Sequence, residues 1–336
     1  MQGPFSMIKR LLQIYSLLVA LWFLCNRLLQ DSWWGLVVLD KFAEYFLFAS
    51  IPVFLLSLLF RNKLTILTAV LPLAVCAFFY LPFFFKIQSP KIPAESDFLR
   101  VGTFNLWNHN KDIEGVVELL NKGNADVISV QEITEVQRPE LVELLSQTYP
   151  HYHVSREVYG GTTALFSRHS LMNLSEIEFN IDRPAIVADI EWLGQTVSVV
   201  SAHLNPSFWA YHQKPLREIP GNYHQYIKDQ NTQAGMIIDN LKSRSDSSAF
   251  FLACDCNSQE TASTNRLLGS FFKDTFKSVG WQLGNPHESH LSYERNLKHI
   301  DYVWYAGDVE ALAVYRAKES VNSDHQPIYA DFSFAE

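Results

Sequence analysis

The sequence predicts an α/β domain rich in strands that follows three transmembrane helices. Two observations predict this fold class. Residues 1–91 hold three long apolar segments, whereas the rest of the 336-residue chain alternates short apolar runs with amphipathic segments. The charge divides at the same place: residues 1–91 carry eight basic and three acidic residues (net +5), and the remainder carries 19 basic and 32 acidic residues (net −13). A part this acidic repels polyanions unless they meet a local basic patch or a bound metal.

Three apolar segments are expected to cross a lipid bilayer. They are Leu11–Leu29, Tyr45–Phe60 and Leu64–Phe85, and the last contains no charged residue. About 20 apolar residues in a helix are enough to span the hydrocarbon core. We therefore expect residues 1–86 to form a membrane anchor, residues 87–97 a linker, and residues 98–336 a separate domain.

The orientation in the membrane is not decided by the positive-inside rule, because four basic residues lie on each side of the expected spans. Three spans do place the N-terminus and the C-terminal domain on opposite sides. The pair Lys9-Arg10 before the first span resembles a signal anchor. It favours a multi-pass protein of the cell (inner) membrane with its domain outside the cytoplasm.

Strands and helices alternate after the linker. A strand at 99–107 is followed by a segment with apolar residues at 113, 116, 117, 119 and 120, which is the spacing of an amphipathic helix. The remaining expected elements are a strand at 125–132, a helix from 140, a strand at 161–168, a hairpin at 185–205, helices at about 228–242 and 262–270, and strands at 248–257, 298–307, 310–316 and 323–334.

Strand after strand in this pattern ends in a side chain that can bind a metal or a phosphate group. These side chains are Asn105, Glu132, His203 with Asn205, Asp255 with Asn257, Asp301, and Asp324 with His325. A single polar residue at a strand end is usually a cap or turn residue. Six such ends in one domain predict a functional site, since strand ends and loops converge where functional residues gather.

The stretch Cys254-Asp255-Cys256-Asn257 is interpreted as an acid and an amide with cysteine neighbours. Alternate residues of a strand face opposite sides, so the two cysteines share one face and Asp255 and Asn257 share the other. A C-x-C pair rarely closes a disulfide, and a zinc site needs further soft ligands. We expect the cysteines to pack as small apolar side chains.

The residue types favour hydrolysis of a phosphate ester. Oxygen ligands such as Asn105, Glu132, Asp255 and Asp324 suit Mg²⁺ or Mn²⁺ better than Zn²⁺. Mg²⁺ takes one or two carboxylates directly, so another acid is left to orient and deprotonate a water molecule. His325 could donate to a phosphoryl oxygen or a leaving group if an acid orients it.

The motifs TFNLW, VISVQE, SAHLN, CDCN, HIDYV and SDHQPI resemble, in their order and spacing, those of the endonuclease/exonuclease/phosphatase superfamily. The resemblance covers residues 99–334. With its three expected spans, the chain looks most like the membrane-anchored bacterial members of the superfamily. The resemblance implies a DNase I-like four-layer α/β/β/α sandwich with the site at one edge. It also implies a metal at Asn105 and Glu132 with Asp324 nearby, an attacking water positioned by Asp255, and a phosphate group positioned by Asn257.

The resemblance further implies that His203 and His325 stabilise the transition state, with Asp301 behind His325. This sequence departs from the family pattern in two places. Cys254 replaces the usual glycine before Asp255, and His299 stands where an arginine often precedes Ile-Asp. We expect the first change to alter packing and the second to alter phosphate affinity or substrate choice at low pH.

The substrate class stays open at this stage, because a fold does not determine a substrate. The loop at 206–229 mixes aromatic and basic residues, which suits stacking of nucleobases, insertion at a membrane interface, or packing within the loop. The favoured hypothesis is a phosphodiesterase or phosphatase acting on a lipid headgroup or small phosphoester. The alternatives are a membrane-bound DNA or RNA nuclease and a non-catalytic binding module.

Overall fold

The computed structural model describes residues 4–40, 42–83, 98–158, 161–179, 183–205, 219–279 and 299–334. The expected linker at 87–97 and the segment 206–218 of the aromatic loop lie outside the described residues. The described chain has two parts. We call residues 4–83 the helical part and residues 98–334 the sandwich.

The helical part contains two helices that are long and apolar enough to cross a membrane. They are Phe5–Leu28, with a mean hydropathy of 1.6, and Lys63–Phe83, with a mean hydropathy of 2.3. The expected middle span, Tyr45–Phe60, follows a bend of 62° between Trp34–Asp40 and Ala43–Leu59, and only this bent pair taken together is long enough to be counted as a span. The described residues therefore offer two spans, or three if the bent pair crosses as one. The helices are α1 (Pro4–Leu28), α2 (Trp34–Asp40), α3 (Ala43–Phe48), α4 (Ser50–Leu59) and α5 (Lys63–Tyr80).

The sandwich contains two six-stranded sheets and five helices among its described residues. The strands are β1 (Leu99–Asn105), β2 (Val127–Ile133), β3 (His151–Val154), β4 (Thr162–Ser167), β5 (Met172–Ile177), β6 (Ala185–Trp192), β7 (Gln195–His203), β8 (Ala249–Asp255), β9 (Lys273–Asp274), β10 (Asp301–Gly307), β11 (Val309–Arg316) and β12 (Ile328–Phe334). The helices are α6 (Ile113–Gly123), α7 (Arg138–Leu145), α8 (Ile219–Lys242), α9 (Ser263–Leu268) and α10 (Thr275–Val279).

The two sheets pack face to face and are covered by helices on their outer faces. One sheet has the order β11-β12-β1-β2-β4-β3 and the other β5-β6-β7-β8-β10-β9. Between them, the rings of Phe251 and Phe332 lie 4.5 Å apart. Helices α6 and α7 bury apolar side chains against the first sheet, and α8 and α9 do so against the second. The four-layer α/β/β/α sandwich, the DNase I-like fold predicted from the sequence, is confirmed.

The strand directions bring the polar strand ends to one edge. Strand β1 runs parallel to β2, and β7 runs parallel to β8, so their carboxyl ends meet at the same side. Strand β10 runs antiparallel to β8 with Asp301 opposite Asp255, so Asp301 begins its strand. Asp324 and His325 likewise precede β12, which is antiparallel to β1. The prediction that these three residues end strands was wrong, but the antiparallel pairing returns them to the same edge.

Four short elements were not predicted: β3, β5, β9 and α10. Strand β5 has the sequence MNLSEI and is mostly exposed, so it lacks the apolar run that marks a buried strand. Strand β9 has only two residues. Edge positions and short lengths remove the periodicity on which such predictions depend.

The helical part docks on the sandwich at the edge that carries the polar strand ends. The side-chain amide of Asn26 donates to the backbone oxygen of Thr261 at 3.0 Å, and Arg266 donates to the backbone oxygen of Asn26 at 3.0 Å. Val37 of α2 packs against Tyr226 and Ile227 of α8. These contacts involve the segment directly after β8, Arg266 of α9 and the first half of α8.

Candidate active site

The eight site residues expected from the sequence lie together at this edge. At the centre, the side-chain amide of Asn105 donates to Glu132 Oε1 at 3.0 Å and to Asp255 Oδ2 at 2.9 Å. Asn105 is held from behind, because its side-chain oxygen accepts from the backbone N–H of Trp107 and its backbone oxygen accepts from the Ser323 hydroxyl. Two carboxylates therefore converge on one amide.

Glu132 reaches the site through an irregularity in β2. Its φ is +60°, and the register between β2 and β4 shifts between Val130 and Ile133. Such a bulge turns a side chain that would otherwise follow the alternation of the strand. The backbone N–H of Asn108 donates to Glu132 Oε2 at 3.2 Å and fixes the turned carboxylate.

Asp255 is the most deeply buried acid of the site, at 1% exposure. Burial raises the pKa of its carboxyl group, and the nearby Asp301 carboxylate raises it further, to about 7. Its Oδ1 accepts from the backbone N–H of Asn257 at 3.0 Å, which leaves Oδ2 facing Asn105 and the site. A carboxyl group that titrates near neutral pH suits acid–base work.

His325 forms an ion pair with Asp301. Its Nδ1 lies 2.8 Å from Asp301 Oδ2, while its Nε2 lies 3.8 Å from Asp255 Oδ2 and 3.9 Å from Asp324 Oδ1. Burial lowers the pKa of His325, but the carboxylates of Asp301 and Asp255 more than offset this and raise it to about 10. His325 is therefore a cation that presents an Nε2–H to the site.

His203 is buried and neutral. Its Nδ1 lies 2.8 Å from Nη1 of Arg183, and its Nε2 lies 3.5 Å from Asp255 Oδ2. Burial lowers the pKa of His203 well below its ordinary value, and the charge of Arg183 lowers it further. The two histidines therefore differ in charge although both face Asp255.

Asn257 is positioned by α8. Its backbone oxygen accepts from the Tyr226 hydroxyl at 3.0 Å and from the Gln230 amide at 3.2 Å, and its own side-chain amide donates to Leu204 O at 3.1 Å. Its φ is +48°, a conformation that asparagine adopts more readily than most residues. Three residues that the motifs did not indicate thus support the site: Arg183, Tyr226 and Gln230. Tyr226 lies in the aromatic loop at 206–229 and Gln230 in the helix predicted at about 228–242, but the sequence assigned neither residue to the site, and Arg183 lies outside the motifs.

The cysteines beside Asp255 were predicted to be free, and this was wrong. Cys254 and Cys256 are joined by a disulfide with a Cα–Cα distance of 5.2 Å. Cys256 lies beyond the last residue of β8, so its side chain is released from the alternation that the strand pattern assumed. Both cysteines are buried beneath α8 and α9.

His299, which replaces the arginine of the family pattern, contacts Phe83 of the helical part and residues of the sandwich outside the site. Its Nδ1 lies 3.4 Å from Glu260 Oε1, and its ring packs edge-on against Phe83 and Phe276. These contacts do not include the site residues. The expected effect of His299 on phosphate affinity remains a prediction.

Two groups of side chains in the described residues have the proximity needed to hold a metal ion. In the first, ligand atoms of Asp255, Asp301 and His325 lie within 4.8 Å of one another. Asp301 and His325 already form an ion pair, so the carboxylates left for a cation are those of Glu132, Asp255 and Asp324. These carboxylates are hard oxygen donors of the kind that suits a divalent ion such as Mg²⁺, whereas the Asn105 amide turns its NH2 group toward them and its oxygen toward the backbone N–H of Trp107.

The second group, Glu260, Asp274 and His299, already contains a cation. The ammonium group of Lys277 pairs with Glu260 and lies 3.9 Å from Asp274. We interpret this group as a buried ion-pair network that supports the segment after β8.

The fold and the site define a class of α/β/β/α sandwich proteins with acids, amides and histidines at one sheet edge. The sequence matches the model of the endonuclease/exonuclease/phosphatase family over residues 102–325. The match spans more than half of the chain, and the chain belongs to this family. Family members are generally hydrolases of phosphate esters. No curated protein matches the sequence significantly.

Solved structures share the fold at low sequence identity. An endonuclease/exonuclease/phosphatase from Beutenbergia cavernae DSM 12333 is 17% identical with a TM-score of 0.54, and the match covers 71% of this chain and 72% of that chain. A family member from Bacteroides vulgatus is 15% identical with a TM-score of 0.55 and coverages of 71% and 100%. TDP2 from D. rerio, in complex with a single-strand DNA product, is 14% identical with a TM-score of 0.52 and coverages of 71% and 100%.

Proposed function

We propose that this chain is a membrane-anchored, divalent-metal-dependent hydrolase of phosphodiesters or phosphomonoesters. The observation that carries the proposal is the buried Asp255 carboxyl group, whose pKa is raised to about 7 and which faces Asn105, His203 and His325. A base that titrates near neutral pH can take a proton from an attacking water and release it again in each turnover.

Each side chain is proposed to have one role in this reaction. Asp255 orients the water and accepts its proton as the new P–O bond forms, and Asn257 holds the phosphate group. His203 donates a hydrogen bond to a phosphoryl oxygen. His325, kept cationic by Asp301, gives its Nε2 proton to the leaving oxygen as the old P–O bond breaks.

The metal is proposed to lie at Asn105, Glu132 and Asp324, next to Asp255. Carboxylate and amide oxygens suit Mg²⁺ or Mn²⁺. Asp324, half of whose side chain is exposed, can turn toward an ion, and the Asn105 amide would have to turn over to present its oxygen, which accepts from Trp107 N–H in this structure. When bound, the ion would neutralise charge on the phosphate group and favour the ionised form of Asp255.

The favoured substrate is a lipid headgroup or another small phosphoester. The edge that carries the site is also the edge on which the helical part docks, through Thr261, Arg266 and α8. This arrangement keeps the site close to the end of the membrane helices. The net charge of −13 beyond residue 91 also disfavours a long polyanion.

A membrane-bound DNA or RNA nuclease is the second candidate. It is favoured by the similarity in fold to D. rerio TDP2, which was crystallised with a single-strand DNA product. This candidate requires a basic groove beside the site and turnover that falls steeply with salt. A non-catalytic binding module is the third candidate, and it would show metal binding or ligand binding without turnover.

The disulfide supports a domain outside the cytoplasm, because disulfides persist mainly in oxidising compartments. We propose residues 1–86 as the anchor in the cell (inner) membrane, 87–97 as the linker and 98–336 as the catalytic domain. The N-terminus would then be cytoplasmic.

The test compares the full chain with Asp255→Asn and with the control Asp246→Asn, an exposed acid remote from the site. Each is assayed with Mg²⁺ or Mn²⁺ against bis-p-nitrophenyl phosphate, phospholipid vesicles, a short DNA and an RNA. We expect metal-dependent turnover that Asp255→Asn lowers by at least about 10²-fold and the control leaves unchanged. Preferred, salt-sensitive cleavage of DNA or RNA would favour the nuclease. Metal binding without turnover of any substrate would contradict the proposal.

A further inference from the structure

Arg183 is a buried arginine, 4% exposed, that no motif of the sequence singles out. Its Nη1 lies 2.8 Å from Nδ1 of His203, and its Nε donates to the backbone oxygen of Gly161 at 3.3 Å. A guanidinium group has only donors and keeps its protons in proteins. Nδ1 of His203 must therefore be the acceptor, and the proton of the neutral ring lies on Nε2.

The Nε2–H of His203 points into the site and lacks an acceptor there among the described residues. It lies 3.5 Å from Asp255 Oδ2 and 4.0 Å from Glu132 Oε1, and it makes no hydrogen bond. A buried donor without a partner is costly, so its persistence calls for an explanation. A phosphoryl oxygen bound between Asp255 and Glu132 would supply the missing acceptor.

We propose that Arg183 is a positioning residue that keeps the proton of His203 on Nε2, so that His203 offers a neutral donor to a phosphoryl oxygen. This inference rests on the proposed function, since it assumes a phosphate group at the site. In it, Arg183 contacts Nδ1 of His203 and orients that ring, as Asp301 contacts Nδ1 of His325. Nδ1 of His325 lies against a carboxylate, whereas Nδ1 of His203 lies against a guanidinium group.

The position of the proton on His203 has a chemical reason. A proton on Nδ1 of His203 would point at the guanidinium group and be repelled. A ring that carried both protons would also place an N–H on Nδ1, where it would meet the same guanidinium group at 2.8 Å. Arg183 prevents both states by occupying Nδ1.

The decisive experiment measures which nitrogen of His203 carries a proton. The full chain is labelled with ¹⁵N-histidine, kept free of metal, and studied by long-range ¹H–¹⁵N correlation at neutral pH, with the His203→Gln variant assigning the signal among the 11 histidines. Arg183→Lys retains a cationic donor, whereas Arg183→Met has similar length and none. Both lose the contact with Gly161, so their difference reports the bond to Nδ1.

We expect Nδ1 to be unprotonated in the native protein and in Arg183→Lys, and protonated in Arg183→Met. With bis-p-nitrophenyl phosphate, Arg183→Met should lower kcat by about 10²-fold, as loss of one transition-state donor does, and Arg183→Lys should restore most of it. Arg244→Met is the control. It removes a buried ion pair with Asp189, remote from the site, and should change stability but neither the His203 signal nor kcat.

The inference is overturned if Nδ1 of His203 is protonated in the native protein, or if Arg183→Met leaves it unprotonated. It is equally overturned if the Lys and Met variants differ at Nδ1 but lose the same activity. The nitrogen measurement needs no turnover, so a failure of the proposed function would be seen separately, as absence of activity in the native chain.

Discussion

Asp255 shares the buried corner of the site with several other ionisable side chains, and its protonation depends on them. Asp255 lies between the Asp301–His325 pair and Glu132, so its pKa is raised first by burial and then by neighbouring carboxylates. A divalent cation would relieve this repulsion. Protons and metal ions should therefore compete at this corner.

The competition predicts how stability depends on pH. The pKa of Asp255 is raised from 3.8 to about 7 in the folded chain, so the metal-free protein gains stability from this proton below about pH 4 and loses it as the pH rises toward 7. The pKa of His325 is raised from 6.5 to about 10, so its contribution is complete below about pH 6.5 and is lost as the pH rises through 10.

We therefore expect Mg²⁺ or Mn²⁺ to raise the melting temperature more at about pH 8 than at about pH 5, because at low pH Asp255 holds its proton. Thermal unfolding with and without metal at both pH values checks this. In Asp255→Asn the pH dependence of the metal effect should shrink. A metal effect of equal size at both pH values in the native chain would count against the proposed site.

The sequence indicated the eight individual residues that converge at the sheet edge of the site, because each follows or precedes an apolar strand. It did not indicate Arg183, Tyr226 or Gln230. Their roles depend on which side chains face them across the fold, and a single sequence carries no record of that contact.

Among the elements, strand β2 matters most for the site because it is irregular at Glu132. At the bulge, Gly161 closely approaches the backbone of Glu132. A Cβ at Gly161 would lie 2.8 Å from the carbonyl carbon of Glu132, and its φ is +103°. The side chains of the flanking strands predict a regular ladder, so neither the bulge nor this close approach could be read from the periodicity.

Gly161→Ala should therefore displace Glu132 as well as strain the backbone. Gly194→Ala is the matched control, since Gly194 has φ +76° but no atom of the described residues lies within 4 Å of the position that a Cβ would take there. Both substitutions carry the strain of a positive φ, on the order of 1 kcal/mol. We expect only Gly161→Ala to weaken metal binding, measured by calorimetry. Equal metal affinity in the two variants would show that Glu132 is not held through Gly161.

For the whole molecule, the docking of the helical part on the sandwich joins two parts that the sequence separates by charge. Asn26 is central to this junction: its amide also donates to Asp40 Oδ2 at 2.9 Å, and Asp40 accepts from Trp22 at 2.9 Å. Apolar segments predicted the helices, but a polar junction between them and the sandwich leaves no periodic signal. The bend between α2 and α3 was not predicted, and it lies just before the expected span Tyr45–Phe60.

Asn26→Leu should loosen the junction, because it leaves Arg266 and Asp40 with fewer partners at a cost of about 1–3 kcal/mol. We expect faster hydrogen exchange in residues 256–266 and in the first half of α8, with the chain still in the membrane fraction after a salt wash. Gln13→Leu, which removes a contact with Thr65 inside the helical part, is the control. Similar exchange in both variants would mean that Asn26 does not hold the sandwich.

The docked arrangement also has a kinetic consequence. Under the proposed function, a catalytic unit fixed against the end of its own membrane helices would not sample the surrounding solution as a freely tethered one would. For a lipid substrate, encounters would then occur by lateral diffusion within one leaflet. The rate would follow the mole fraction of substrate in the bilayer, and dilution with inert lipid would slow turnover even when the total amount of substrate is constant.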